Sequence, residues 1–355
     1  VRRPRLHLVG IFHTIHNDEH SHCAFTGKAK RFAPMMRAQG WEVIVYANEG
    51  SGEDITMLSS EEFEKFFSSR GEKEFFGDYA TVGSEPYELF NKRLVEALRA
   101  RVEPGDIICH PFGHAHECLT NIFPGNPHVE TGIGYPTLMK NSFKIFESYA
   151  WMHYHQGRDG RNGINYEWVV PNYFDISEWE PSYVSGNYLA FLGRICEIKG
   201  MNTIKAIADH VDIPIVLCGQ GDPEPWKHPN IKYRGPICGK ERSEFLRNAR
   251  AMLMPSLFVE PFAGAGVEGM LCGTPLIAVD YGAFTETVVE GVTGFRCRTL
   301  QDWVDGISKA DGLSRQVIAD RARDLYSMET CGKKYSRIFT DIANLQDRGW
   351  YTLRC

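Results

Sequence analysis

No Asp-x-Asp occurs in the 355 residues, no Cys-x-x-Cys among the ten cysteines, and no apolar run of the ~18 residues that a membrane-crossing helix needs. The first absence removes the usual acidic clamp for a metal ion on a diphosphate. The second removes the common zinc-ribbon and thiol-redox motifs. The third leaves only peripheral contact with a bilayer. The short apolar run Leu6–Phe12 behind a basic Val1-Arg-Arg-Pro contains His7 and does not suit a signal peptide. A basic surplus is also missing. The formal charge is −6 and the pI about 6.1, the wrong sign for a protein that coats nucleic acid. Several cysteines lie in apolar runs such as Ile107–Cys109 and Val216–Cys218, where a free thiol acts as a small hydrophobe. Disulfide frameworks belong to short secreted chains, so the expected compartment is the reducing cytoplasm. Internal repeats and low-complexity tracts are absent as well.

What is present is a long chain of ordinary composition, 43% hydrophobic and 24% charged, enough for two cores. Leu6–Phe12 reads as a buried strand, Phe25–Gln39 as an amphipathic helix kinked at Pro34, and Trp41–Tyr46 as a second strand. That is a βαβ unit. Glu61-Glu-Phe-Glu-Lys-Phe-Phe suggests a helical insertion, and the charges from Glu61 to Glu74 a solvated face. A helix with Ser84 as cap and Pro86 in its first turn runs to Arg101. Asp106–His110 and Pro127–Thr131 follow as strands. Strands and helices then alternate again from Tyr188 to Val279. The expected class is α/β with two Rossmann-like domains, 1–178 and 179–332, and a C-terminal helix of about 333–355 packing back on the first.

The stretch from Met254 to Asp280 carries the chemistry. Glu260 lies in a loop, and Glu268, eight residues on, falls inside a short helix opened by Gly264-Ala-Gly. Free N–H groups at such a helix start can hold a diphosphate. Upstream, Gly193-Arg194-Ile-Cys-Glu-Ile-Lys199-Gly200 follows a strand end. Its two cations can neutralise phosphates and, with the helix N–H groups, replace a metal.

These residues resemble the retaining glycosyltransferases of GT-B fold known as family 4 or group 1, closely from Asn187 to about Arg298 and loosely before that. Glu260 and Glu268 match the family's Glu-x7-Glu pair, and Arg194 and Lys199 its diphosphate pair. Pro255-Ser256, Gly273-Thr-Pro275, Glu286, Gly291 and Gly294 also fit, and Val170-Pro171-Asn172 resembles the segment ending the first domain. The resemblance implies two Rossmann-like domains facing each other across a cleft that holds the active site. It also implies transfer of a hexose from a UDP- or GDP-sugar to an acceptor hydroxyl, with retention and without a metal or other cofactor. Glu260 would orient the sugar and Glu268 hold the ribose. Phe262, Ala263, Gly264 and Ala265 would lie against sugar and pyrophosphate. Gly193, Gly219, Pro236 and Ile237 would line the nucleotide. In the first half the family's Gly-Gly loop falls near Cys23-Ala24, and its sugar-contacting His is absent after the strand at His128–Thr131. Glu130 or His110 would take that place, with Ala24, Gly132 and His114 on the acceptor side. The implied acceptor is a glycan, a lipid-linked sugar or a small molecule, rather than nucleic acid.

Other readings have some footing. Gly264-Ala-Gly266-Val-Glu-Gly269 matches a dinucleotide fingerprint, but it begins about ten residues after Met254 and its helix is short. The clusters His110…His114-Ala-His116 and His16…His20-Ser-His22 invite a metal, which needs three or four convergent ligands. Glu147–His155 reads as aromatic interdomain packing. Within the same fold, an epimerase needs no acceptor, and a non-catalytic binder would hold the donor without turnover.

Overall fold

The computed structural model describes residues 2–17, 19–20, 23–52, 55–68 and 82–349. Their strands form two all-parallel sheets. The first contains β1 (Leu6–Val9), β2 (Val43–Ala47), β3 (Ile55–Thr56), β4 (Ile107–His110), β5 (His128–Ile133), β6 (Phe143–Phe146) and β7 (Glu167–Val169). The second contains β8 (Leu189–Leu192), β9 (Ile215–Cys218), β10 (Ile231–Gly235), β11 (Ala251–Met254), β12 (Leu276–Val279) and β13 (Gly294–Cys297). Their orders are β3-β2-β1-β4-β5-β6-β7 and β10-β9-β8-β11-β12-β13. Each is doubly wound, with its strand order reversing beside β1 or β8.

The central strands are short apolar runs buried on both faces, as parallel strands under helices must be. The one polar residue of β1 has partners. His7 Nδ1 lies 2.8 Å from the Tyr46 hydroxyl, and its Nε2 3.1 Å from Asp106 Oδ2. Burial alone would raise the Asp106 carboxyl. Hydrogen bonds from Arg5, the Glu103 N–H and His7 outweigh it and bring the pKa down to about 2.

Two compact units divide the chain. The first takes 1–147, 161–173 and 328–355, and the second 148–160 and 174–327. The sequence reading placed one boundary at 178, whereas residues 148–160 belong with the later unit. Their helix, Tyr149–Arg158, is anchored there: Ser148 Oγ donates to the Pro261 carbonyl at 2.6 Å, and Glu286 accepts from the Tyr149 and Ala150 N–H groups. Glu147, by contrast, stays in the first unit, ion-paired with the buried Lys28. The C-terminal helix, Met328–Arg348, starts earlier than read and packs on the first unit as expected, inserting Cys331, Tyr335, Ile338, Phe339 and Ile342 into its core.

Other expectations shift locally. The helix Ala24–Ala38 continues through Pro34. Gly132 lies within β5, at a bulge between Thr131 and Ile133, rather than in a turn after it. The helical insertion is Ser60–Phe67, closed by a capping box between Ser59 and Glu62. Residues 69–74 of the charged stretch lie outside the described residues. Among the described residues no helix is long and apolar enough to cross a membrane. Nine cysteines are described, and all are free thiols.

Candidate functional site

In the second unit the strand order reverses between β8 and β11, and the loops leaving their C-terminal ends carry the charged residues. Such a switch point is where doubly wound sheets collect ligands. The loop after β8 is Gly193–Gly200, and that after β11 is Pro255–Ala263. The backbone joins them. The Leu257 N–H donates to the Ile198 carbonyl at 2.8 Å, and Gly200 presses so closely on Pro255 that a Cβ there would lie 2.0 Å from its carbonyl oxygen. On the other side, Gly193 N–H donates to Cys218 at 3.0 Å and Ile195 N–H to Gln220 at 2.7 Å. Gly219 sits at φ +143°, its Cα against the Gly193 carbonyl. The Tyr233 hydroxyl closes this side by donating to the Gly219 carbonyl at 2.8 Å.

This lacing brings Lys199 and Glu260 together. Lys199 Nζ lies 2.6 Å from Glu260 Oε1, to which Ser256 Oγ also donates at 2.6 Å. Glu260 is only 5% exposed, and these two partners satisfy that oxygen in place of water. Tyr281 braces the loop, its hydroxyl donating to the Ser256 carbonyl at 2.7 Å. Burial, and secondarily the Glu260 charge, push that phenol above its ordinary value. Arg194 is different: it is exposed, and its side chain makes no hydrogen bond or ion pair among the described residues.

The helix after the loop is Gly264–Leu271. Ala263 precedes it in the left-handed region, φ 63° and ψ 57°, a conformation that disfavours any residue with a Cβ. No side chain caps the helix. The Gly266 N–H donates to the Ala263 carbonyl at 2.9 Å, and the Gly264 and Ala265 N–H groups lie ahead of that first bond. Gly264 and Ala265 are half-buried there. Phe262 is core, buried between Phe174 and Tyr326, and can offer a ligand only its backbone. Glu268 lies one turn in, 9% exposed, and accepts from Arg242 of the helix Gly239–Arg247. Pro236 and the buried Ile237 lead into that helix.

The loops of the second unit therefore gather Gly193, Arg194, Lys199, Gly219, Glu260, Ala263, Gly264 and Ala265 at the C-terminal ends of β8, β9 and β11. Sequence reasoning missed Arg242 and gave no role to the hydroxyls of Ser256 and Tyr233. Both of those residues carried a signal, Ser256 in Pro255-Ser256 and Tyr233 in Tyr233-Arg-Gly-Pro-Ile237, which resembles the family's base-holding loop. A cavity of about 590 Å3, lined by Asn202, Pro255, Leu257, Tyr281, Arg298 and Trp303 among others, borders the loop but includes none of Arg194, Lys199, Glu260 or Glu268.

The residues chosen in the first unit fare differently. His110 ends β4 but is fully buried, its Nε2 2.9 Å from His128 Nδ1. Burial, then the neighbouring His128 and His116, hold its pKa well below the usual histidine value. It is therefore a neutral residue of the first unit's interior. Glu130 is equally buried. It accepts from the Tyr135 hydroxyl at 2.9 Å, the Ser142 hydroxyl at 2.8 Å and the Met139 N–H at 3.2 Å, and so ties down the 134–142 loop. Burial raises its pKa. Gly132 gives its carbonyl to Lys28 Nζ at 2.6 Å. Ala24 is exposed at the start of its helix and His114 half-buried in a single turn, Gly113–His116. Of the histidines weighed as metal ligands, His116 pairs with Asn91 and His20 with Asn17. His22 lies outside the described residues. Among the described residues no three His, Cys, Asp or Glu side chains converge on a metal position.

Comparison with known proteins finds likenesses to glycosyltransferases. The model described as "Glycosyl transferases group 1" matches residues 186–310. The phosphatidyl-myo-inositol mannosyltransferase of Mycolicibacterium smegmatis is 26% identical over 159 residues, 40% of this chain and 41% of that protein. The 2-deoxystreptamine N-acetyl-D-glucosaminyltransferase of Niallia circulans is 32% identical over 117 residues, 29% of this chain and 30% of that one. The chain thus spans less than half the length of these curated relatives. Among solved structures, AviGT4, a glycosyltransferase involved in avilamycin A biosynthesis, superposes with a TM-score of 0.68 at 16% identity, covering 96% of this chain and 98% of that one. Anabaena Alr3699/HepE in complex with UDP and glucose gives 0.66 at 14%, covering 95% and 99%. At such identities the likeness speaks to fold. Residues 186–310 thus match a group 1 glycosyltransferase model, within a two-unit, Rossmann-like fold of the GT-B type.

Proposed function

We propose that this protein transfers a hexose from a nucleoside diphosphate sugar to the hydroxyl of an acceptor, with retention of anomeric configuration and with no metal required. The observation that carries the reading is the meeting of Lys199, Ser256 and Glu260 beside the exposed Arg194, at the ends of β8 and β11 and next to an uncapped helix start. The relatives support it: one is named a mannosyltransferase, and the HepE structure holds UDP and glucose.

In the proposed reaction the bond from the anomeric carbon to the diphosphate oxygen breaks, and the acceptor oxygen bonds to the same face of that carbon. The acceptor proton leaves on the departing diphosphate. Negative charge therefore grows on the diphosphate, where Arg194, Lys199 and the first-turn N–H groups of the Gly264 helix stabilise it. Glu260 holds Lys199 in place and offers its carboxylate to the sugar hydroxyls. Gly193, Gly219, Pro236 and Ile237 line the nucleotide, and Glu268 accepts from the ribose. A glycan, a lipid-linked sugar or a small molecule serves as acceptor.

Single substitutions Arg194→Ala and Lys199→Ala test the assignment. Removing one fixed cation from a developing charge is expected to lower turnover of the donor sugar by about 10²- to 10³-fold. Wild-type turnover in both variants would refute it.

A further inference from the structure

Arg242 has no place in the reading above, yet it is the side chain that holds Glu268. Glu268 and Arg242 are 12% and 19% exposed at their side chains, and one terminal guanidinium nitrogen donates to Glu268 Oε2. The two sit on different helices, Gly239–Arg247 and Gly264–Leu271, so the pair fixes the carboxylate from outside its own helix. Removing the cation would free that carboxylate oxygen to turn away from its present direction. Arg242 also stands on the helix that directly follows Pro236 and Ile237. One rigid element thereby links the loop assigned to the base with the carboxylate assigned to the ribose.

We infer that Arg242 is a positioning residue for the donor nucleotide: it keeps the Glu268 carboxylate aimed, so that the pair selects a ribose bearing both hydroxyls. The inference rests on the proposed donor site and adds the residue that makes it selective for ribonucleotides. Arg242 acts through Glu268 and need not touch the ligand. Its Nε is buried without a hydrogen-bond partner, so only the terminal nitrogen is engaged. A lysine, which offers one ammonium, should therefore do the same work.

The test is calorimetric titration of the whole chain with UDP, 2′-deoxy-UDP, GDP and 2′-deoxy-GDP. Wild type, Arg242→Gln and Arg242→Lys would be compared, with a thermal melt of each to show that it is folded. Wild type is expected to prefer one ribonucleotide over its deoxy form by about 10- to 100-fold, the range for a hydrogen bond to a charged group. Arg242→Gln should bring that ratio to within about 3-fold, and Arg242→Lys should restore it. A glutamine variant that is folded and keeps the wild-type ratio overturns the inference and leaves the donor site standing. So does a wild type that binds the diphosphates without discriminating. A wild type that binds neither UDP nor GDP overturns the proposed function, and this inference with it.

Discussion

At the scale of single residues, the site consists of charges that need one another. Lys199 and Ser256 both reach Glu260 Oε1, and Arg242 pairs with Glu268. Ala263 is the strained member, held left-handed at the mouth of the Gly264 helix. That conformation costs an L-residue about 1–2 kcal/mol, and much more when the side chain is β-branched. Ala263→Gly should leave stability within about 1 kcal/mol, because relief of strain is offset by the entropy of the unfolded chain. Ala263→Val should lose at least about 2 kcal/mol in urea unfolding. Equal stability of the two variants would contradict the strain. The glutamates and the Arg194–Lys199 pair were legible because their spacing and flanking glycines form a recognisable string. Arg242 was not, since Lys240-Glu-Arg-Ser-Glu reads as any solvated helix face. His110 misled because a strand-end position says where a Cα lies, not that its imidazole will turn towards His128.

At the scale of elements, the site owes its shape to loops pressed against one another. The Gly264 helix has eight residues, too few to be stable alone, and is held by packing on the sheet and on the helix Arg315–Tyr326. Gly200 is where the loops after β8 and β11 touch, at φ +82° against the Pro255 carbonyl. Gly200→Ala combines left-handed strain with a backbone clash, neither of which a side-chain movement relieves. It should destabilise the protein by at least about 2 kcal/mol and lower donor turnover as well, by shifting Lys199. A variant with unchanged melting temperature and turnover would show that the contact is slack. The central strands β1, β4, β8, β9, β11 and β12 were legible as apolar runs. β7 and β10 were not: each is a sheet edge, neither has a fully buried residue, and an edge strand needs no continuous apolar run.

At the scale of the whole molecule, the chain passes between its two units four times, at 147/148, 160/161, 173/174 and 327/328. The two-block α/β pattern was legible from strand and helix spacing. The return of the C-terminal helix to the first unit was legible too. The detour of residues 148–160 was not, because the apolar face of the helix Tyr149–Arg158 does not reveal which sheet it covers. The first unit also buries neutral histidines, and this makes its stability depend on pH. Burial holds His16 at about 4 and His116 at about 3, against an ordinary 6.5, and drives His110 well below it. These groups stay neutral in the folded state but take up protons on unfolding below about pH 6.5. Their contribution is therefore full above that pH and declines as pH falls from there towards 4 and 3. The slope is about 1.4 kcal/mol per pH unit for each histidine. Melting temperature should be clearly lower at pH 5.5 than at pH 7.5; an equal or higher value at pH 5.5 would contradict the burial.

The claim on which everything else depends is that the second unit binds a nucleoside diphosphate through Glu268 and the loops after β8 and β11. Thermal shift with UDP, GDP and their sugars, without added metal and with a chelator present, tests it directly when wild type is compared with Glu268→Ala. The expected result is a rise in melting temperature with one of the two nucleotides, about 2.7 kcal/mol of added stability at a hundredfold excess over Kd, weakened by the substitution. No shift with any nucleoside diphosphate, together with a shift on adding NAD, would contradict it and return the glycine-rich helix to the dinucleotide reading.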